Sequence, residues 1–404
     1  MPQLSIIIPA YNNSKYLPEC VRSIAMQNYQ DIEIIIVDDA STDDTSAVVK
    51  HLVENDARIH LIQHERNSGT LISRKDGVLA SRGRYVMLMD QDDELAQNAL
   101  TLLMNFAHQH PADIYHFGVN VHAANSQAQQ AAAGMALFLT PMPRTLYGEK
   151  ILRYQFSPDE GFDWHVHHKM FSGDFARTAY ARAVDTRLIL SDDLYMSFIL
   201  DSAASTYVAI PNSPWYIYHL GRGDTLGKQL TPQSCAVIAQ RDAQALSMLQ
   251  DFVSHNRSAI RRSDWNERLD DVRNRLIEHT MNEWKDNLPD VAKEQTLQLI
   301  LKYWKPDAVC GELYRYVRDY AYSYLMTNRG SEKISHDGAN AKSYLNMAQC
   351  IEQSSGLPDA SRNKHYFGLR AIAFTHLYDS GLLPKSQPKT HRLQNLLRTI
   401  LTKH

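Results

Sequence analysis

Two acidic clusters stand at the ends of apolar runs. In Ile36-Val37-Asp38-Asp39-Ala40-Ser41-Thr42-Asp43, two carboxylates fall where a β-branched run stops, followed by hydroxyl groups suited to cap a helix. Tyr85-Val86-Met87-Leu88-Met89-Asp90-Gln91-Asp92-Asp93 is an apolar run that passes directly into D-x-D-D. Strand alternation lets Asp90 and Asp92 point to one side. Two carboxylates converging there must be protonated, kept apart by solvent or neutralised by a cation. A hard divalent ion carrying diphosphate oxygens on its open positions meets that need. Either cluster alone has a plainer use, ending a strand and capping the next helix. It is the pair that points to chemistry.

The elements that must position these groups alternate in texture. Ser5-Ile6-Ile7-Ile8 and Ile32 to Val37 are near-continuously apolar, as expected of strands covered on both faces of a parallel sheet. Between them Lys15 to Met26 places Leu17, Val21, Ile24 and Ala25 at helical spacing, which makes a βαβ unit. The pattern then predicts a helix over Thr42–Val53, a strand over Ile59–Gln63, a helix over Ser68–Ala80 and a strand over Tyr85–Met89. Polar clusters at the carboxyl ends of such strands are where open α/β sheets bind ligands. Ala123 to Gly134, rich in Ala, Gln, Ser and Asn with no apolar period, reads as a surface loop. Tyr207–Ile210 and Trp215–Tyr218 read as strands, and from about Leu226 onward the chain turns to long amphipathic helices.

Ser5 to Asn12, Val37 to Asp43, Asn67-Ser68-Gly69 with Arg74, and Asp90-Gln91-Asp92-Asp93 form four ordered motifs. Together they resemble the amino-terminal signature of the glycosyltransferase family 2 enzymes, over roughly residues 3 to 225. The resemblance implies an α/β GT-A domain with a mostly parallel sheet flanked by helices, a nucleotide-diphosphate sugar donor, with UDP favoured, and inversion at the anomeric carbon. By the same resemblance Pro9, Ala10 and Tyr11 shape the base pocket, Asp39 holds the base edge with Asp38 beside it, and Arg74 lines the nucleotide side. Asp90, Gln91 and Asp92 belong to the donor site, with Asp90 and Asp92 as ligands of Mn2+ or Mg2+. Ser191-Asp192-Asp193-Leu194 is similar to the family's Glu-Asp-Leu element, with Asp in place of Glu at the first position, which makes Asp193 the base and Asp192 its neighbour. Carboxylates at a helix amino terminus also serve as caps, and the two roles coexist.

Asp163-Trp164-His165-Val166-His167-His168-Lys169-Met170-Phe171 resembles the family's Trp-x-Lys-Leu-Tyr element in a looser form, so that Lys169 would offset donor or acceptor charge. His165 and His167 would share a strand face, yet with no Cys beside them packed histidines are expected here before a metal site. Trp215 to Asp224 is similar to the family's aromatic strand and basic loop, with His219 completing the metal shell and Arg222 neutralising the departing diphosphate.

The chain has 404 residues, more than one compact domain usually holds, and divides by texture into a transferase domain over 1–225 and an all-α domain over 226–404. In the helical half Trp265, Trp284 and Trp304 are expected in the core. A net charge of -3 gives no global drive toward nucleic acid, and four scattered cysteines fit a reducing compartment, with the cytoplasm as the default. The amino terminus shows no basic and apolar leader pattern. Beyond Asp379 there is no acidic residue, while Lys385, Lys389, Arg392, Arg398 and Lys403 accompany Leu393, Leu396, Leu397, Ile400 and Leu401 at helical spacing. Such an end would lie on the inner face of an anionic membrane beside a lipid-linked acceptor, although a terminal helix docked on its own domain gives the same pattern. Expected partners are therefore a nucleotide sugar and a glycan or lipid-linked acceptor of bacterial surface polysaccharide synthesis. A peptide acceptor, with the helical half as docking module, and a non-catalytic nucleotide-sugar binding protein are the alternatives. A dinucleotide oxidoreductase is disfavoured because the first strand leads to Pro-Ala-Tyr-Asn in place of G-x-G-x-x-G.

Overall fold

The computed structural model describes residues 1–157, 161–188, 191–222, 229–327 and 333–384. The chain divides into two compact units, 1–230 with 240–276, and 231–239 with 277 onward.

The first unit begins with β1 (Leu4–Ala10), α1 (Leu17–Ala25), β2 (Ile32–Asp38), α2 (Thr45–Asn55), β3 (Ile59–Gln63), α3 (Thr70–Ala80) and β4 (Tyr85–Leu88). It continues with β5 (Glu94–Leu95), α4 (Ala99–Gln109), β6 (Ile114–Ala123), α5 (Ser126–Phe138), β7 (Thr145–Tyr147), α6 (Lys150–Gln155), β8 (Phe156–Ser157) and β9 (Gly161–Phe162). Next come β10 (Lys169–Ser172), α7 (Gly173–Ala181), α8 (Asp192–Ala203) and the long β11 (Thr206–Leu220). The main sheet runs β3-β2-β1-β4-β10-β6-β11-β5, with β7 on β11. β1, β2, β3 and β4 are mutually parallel, β11 is parallel to β6, and β10 runs antiparallel between β4 and β6. This is the mixed, mostly parallel sheet flanked by helices that the strand and helix textures predict.

Every residue of β2 is buried, as is nearly all of β1, which is why neither shows the alternation of a half-exposed strand. Ile6, Ile8, Ile34, Ile36 and Met87 meet Leu100, Leu103 and Met104 of α4 in one core cluster. Each such side chain contributes about 1.5–3 kcal/mol of burial. On the other side α3 lies close to β1. A Cβ on Gly77 would fall 2.3 Å from Cγ2 of Ile7, so only glycine permits that approach. Arg74, one helical turn earlier on the same face, is thereby carried to the carboxyl end of the strands.

Two local expectations are corrected. The Ala123–Gly134 stretch is not a loop: β6 extends to Ala123 and α5 follows, opened by Asn125, whose Oδ1 accepts from the Ala128 amide at 2.8 Å. Alanine and glutamine favour helix, and the missing period reflects a helix with Ala128 as its one buried residue. His165 and His167 do not share a strand face either, because residues 163–168 are turn and irregular backbone ahead of β10.

The remaining helices are α9 (Pro232–Asn256), α10 (Trp265–Asn287), α11 (Asp290–Ile300), α12 (Pro306–Thr327), α13 (Lys333–Ser355) and α14 (Lys364–Asp379). Trp284 and Trp304 are buried in the second unit, and the Trp284 indole N–H donates to Lys293 O at 2.9 Å. Trp265 is buried in the first unit, against Phe198 of α8. Among the described residues no helix is long and apolar enough to cross a membrane. The basic segment from Lys385 to Lys403, and Gly223 and Asp224, lie outside the described residues.

Candidate active site

The carboxyl ends of β1, β2 and β4 open onto a pocket lined by Pro9, Ala10, Tyr11 and Asp39 on one side. Thr70 and Ser73 of α3, with Asp90, Gln91 and Asp92, close the other. Tyr11 keeps 42% of its surface exposed, an unusual state for an aromatic beside a core strand. Its backbone is clamped by the Gln91 amide: the Tyr11 N–H donates to Gln91 Oε1 at 2.9 Å, and Gln91 Nε2 donates to Tyr11 O at 3.2 Å. Gln91 therefore joins the first motif to the fourth.

The two β2 carboxylates behave differently. Asp38 is wholly buried, with Oδ1 accepting from the Ser41 amide at 3.0 Å and Oδ2 without a partner. Asp39 lines the pocket and accepts from the amides of Ser68 at 2.8 Å and Gly69 at 2.7 Å, and from His64 Nδ1 at 2.7 Å. It thus fixes the turn that opens α3. Gly69 adopts a φ of 89°, and a Cβ there would meet Arg187 at 2.8 Å. His64 has no motif around it and was not singled out by its sequence.

Arg74 is the hub. Its Nη2 donates to Asp90 Oδ1 at 2.7 Å, its Nη1 to Asp192 Oδ2 at 3.0 Å, and the same Nη1 contacts Asp193 Oδ1. One buried guanidinium thus joins the D-x-D segment to the amino terminus of α8, residues more than a hundred positions apart. Burial and Asp193 push Asp192 up to about 7. Burial and Asp90 raise Asp92 to about 6. Asp93 is lifted well above the usual carboxylate range by burial, Asp90 and Asp92, and is held by Tyr216 Oη at 2.8 Å and the His219 amide at 2.8 Å. Tyr216 Oη also accepts from the Asp90 amide at 3.2 Å. The fourth residue of D-x-D-D is therefore a structural pin onto β11, and Tyr216 is a positioning residue that strand-like texture alone did not single out.

Of the other residues expected here, Arg222 donates to Asp92 O at 3.1 Å, pairs with Glu19 at 3.2 Å and lies over the Tyr16 ring. His219 is near the acidic segment, but its Nε2 is 2.6 Å from Glu94 Oε1. Lys169 is not brought to the pocket. It is buried, with Nζ 2.6 Å from Asp163 Oδ2 and 2.6 Å from His165 O, so its charge is spent on Asp163.

Asp90 and Asp92 suit a divalent cation. They are oxygen donors on one rim of the pocket, and burial together with the Asp90 carboxylate raises Asp92 toward neutrality, the condition that a cation relieves. The pocket can thus hold an anion-bearing ligand beside a cation, and Asp193, outside its lining, is tied to the pocket carboxylate Asp90 through Arg74.

Residues 5–173 match the model of the Glycosyl transferase family 2 family. Among curated proteins, the glycosyltransferase GlyG of Streptococcus pneumoniae is 34% identical over 111 residues, 28% of this chain and 37% of GlyG. The GalNAc(5)-diNAcBac-PP-undecaprenol beta-1,3-glucosyltransferase of Campylobacter jejuni is 36% identical over 116 residues, 28% of this chain and 38% of that enzyme. The matched part thus spans little more than a third of these relatives' length. The crystal structure of S. aureus TarS 1–349 superimposes with a TM-score of 0.54 at 16% identity, covering 88% of this chain and 92% of that one. That likeness is one of fold.

Proposed function

We propose, from the match of residues 5–173 to the Glycosyl transferase family 2 model, that the protein is an inverting, metal-dependent glycosyltransferase. It would move a sugar from a nucleoside diphosphate, UDP in the first instance, to a hydroxyl of a glycan or lipid-linked acceptor in bacterial surface polysaccharide synthesis. The observation that supports this reading is the Arg74 bridge, which joins the candidate base Asp193 to the pocket carboxylate Asp90.

In this reading Tyr11 stacks on the base, and the Gln91 clamp holds its backbone in place. Asp39 organises the Ser68–Gly69 turn beside the base. Asp90 and Asp92 would hold a Mn2+ or Mg2+ ion, which supplies positive charge to the diphosphate as it leaves. Asp193 takes the proton of the acceptor hydroxyl while that oxygen bonds to the anomeric carbon; the bond from that carbon to the diphosphate oxygen breaks, and its electron pair stays on the diphosphate. Arg222, joined to Asp92 through its backbone, balances the departing charge. Attack from the face opposite the leaving group inverts the centre. The helical unit would select the acceptor, and the basic segment from Lys385 to Lys403 would hold the enzyme at the cytoplasmic membrane face.

The test is a thermal-shift series of the full chain with UDP-sugars, with and without Mn2+. A ligand binding the folded state at a hundred times its Kd adds about 2.7 kcal/mol, so the right donor gives a shift of a few degrees that needs Mn2+. No shift with any donor would remove the basis of the proposal.

A further inference from the structure

Behind the pocket, β6, β10, β11 and the turn before β10 enclose a second polar cluster that the transferase reading leaves unused. One ligand atom from each of His116, Asp163 and His168 lies within 4.8 Å of the others. Both imidazoles are buried, and both are used on one side only. His116 Nδ1 is 2.7 Å from Tyr207 Oη and 3.2 Å from Asp163 Oδ2, and His168 Nδ1 is 2.8 Å from His167 Nδ1. Nε2 of His116 and Nε2 of His168 have no partner. A neutral imidazole engaged at Nδ1 keeps a ring nitrogen to offer a cation, and a metal-bound histidine is likewise held by a hydrogen bond at its other nitrogen.

We propose that His116, Asp163 and His168 bind a zinc ion that braces the turn before β10, separate from the cation proposed for the D-x-D segment. Two imidazoles and a carboxylate are a borderline-soft donor set that prefers a first-row transition ion to magnesium, and three ligands leave a fourth position for water. Lys169, at 2.6 Å from Asp163 Oδ2, already adds one positive charge to this interior. Asp201, buried and with Oδ2 unpartnered, is an electrostatic neighbour of Lys169 and Asp163. The consequence is mechanical. His167, inside the same turn, stacks on Tyr216 at 5.1 Å and Tyr218 at 5.6 Å, and Tyr216 holds Asp93 and the Asp90 amide. An ion at the turn would therefore brace the acidic segment from behind. Sequence spacing hides the site because His116 comes from β6, far from the histidine run, while His165 and His167 are not among its ligands.

The measurement is elemental analysis of the purified full chain, with its melting temperature before and after chelator dialysis and again with ZnCl2. The expected result is about one zinc per chain, a lowered melting temperature on stripping, and recovery with zinc. Asp92→Asn should keep the zinc, whereas the double variant His116→Gln, His168→Gln should lose it. Tyr207→Phe, which removes only the outer partner of His116, should weaken zinc binding by about 10–100-fold. A parent with no zinc and no thermal response to ZnCl2 would overturn the proposal, leaving a hydrated polar cluster. So would a double variant that keeps the metal, or one lost through Asp92→Asn. The parent measurements decide the matter even if the double variant does not fold.

Discussion

Buried charge is handled in opposite ways in the two units. In the helical unit the buried carboxylates Glu312 and Glu352 each have a cation of their own: Glu312 is bound by Arg315 at 2.6 Å and Glu352 by Arg370 at 2.8 Å, with Tyr366 on the same Glu352 oxygen. In the first unit Asp90, Asp92, Asp93, Asp192 and Asp193 crowd around the strand ends, and Arg74 is asked to serve three of them. Matched pairs satisfy a core and do little else. A surplus of like charge costs stability and persists where a ligand is needed to complete it.

The sharpest break in that contrast is at Asp193, the proposed base. Asp193→Asn should lower UDP-sugar turnover by about 10²–10⁴-fold, while the Mn2+-dependent thermal shift with UDP survives. Turnover equal to that of the parent would remove Asp193 from the mechanism. Next, Asp92→Asn should cost about 10²–10³-fold in turnover and abolish the Mn2+ dependence of UDP binding, yet leave the melting temperature level or higher, since it removes one of the crowded charges. Calorimetry of the apo protein checks that sign, and marked destabilisation would contradict the surplus. The reverse is expected at a matched pair. Glu352→Gln should lower stability by about 1–3 kcal/mol by leaving Arg370 unpaired, with UDP binding by the folded fraction unchanged.

The smallest effect is on pH dependence. Asp92 has its folded value raised to about 6 from an unfolded value near 3.8, so the folded state binds its proton more tightly. Its contribution favours folding below pH 3.8 and is lost as pH rises through 6. Denaturant unfolding of parent and Asp92→Asn between pH 4 and 7 should show the parent losing ground to the variant as pH rises. Saturating Mn2+ and UDP should remove the difference. A gap that narrows with rising pH would reverse the assignment.

Much of this site was legible because its parts sit at strand ends. The apolar runs before Pro9, Asp38 and Asp90 fixed the strands within a residue or two, and a strand's end dictates where its next side chains emerge. The α5 helix was not legible, because with Ala128 alone buried it carries no period. Lys169 was misplaced by its motif: the side chain turns to Asp163, six residues earlier, a pairing decided by the fold of an irregular turn. Tyr216 and Gln91 act through a hydroxyl and an amide that reach across the sheet end, and nothing local to either residue announces that reach.

The amino-acid sequence by itself determined the βαβ order, the acidic strand ends and the helical second half, since periodicity and strand termination are local properties of a chain. Only the tertiary structure decided that Arg74 joins Asp90 to Asp193, that Asp93 pins β11 while Asp92 is left to the pocket, and that His116 meets His168. Those pairings join residues from about fifty to more than a hundred positions apart. Their partners are selected by which strand lies beside which and by how closely α3 can approach β1, and both are settled only when the core closes.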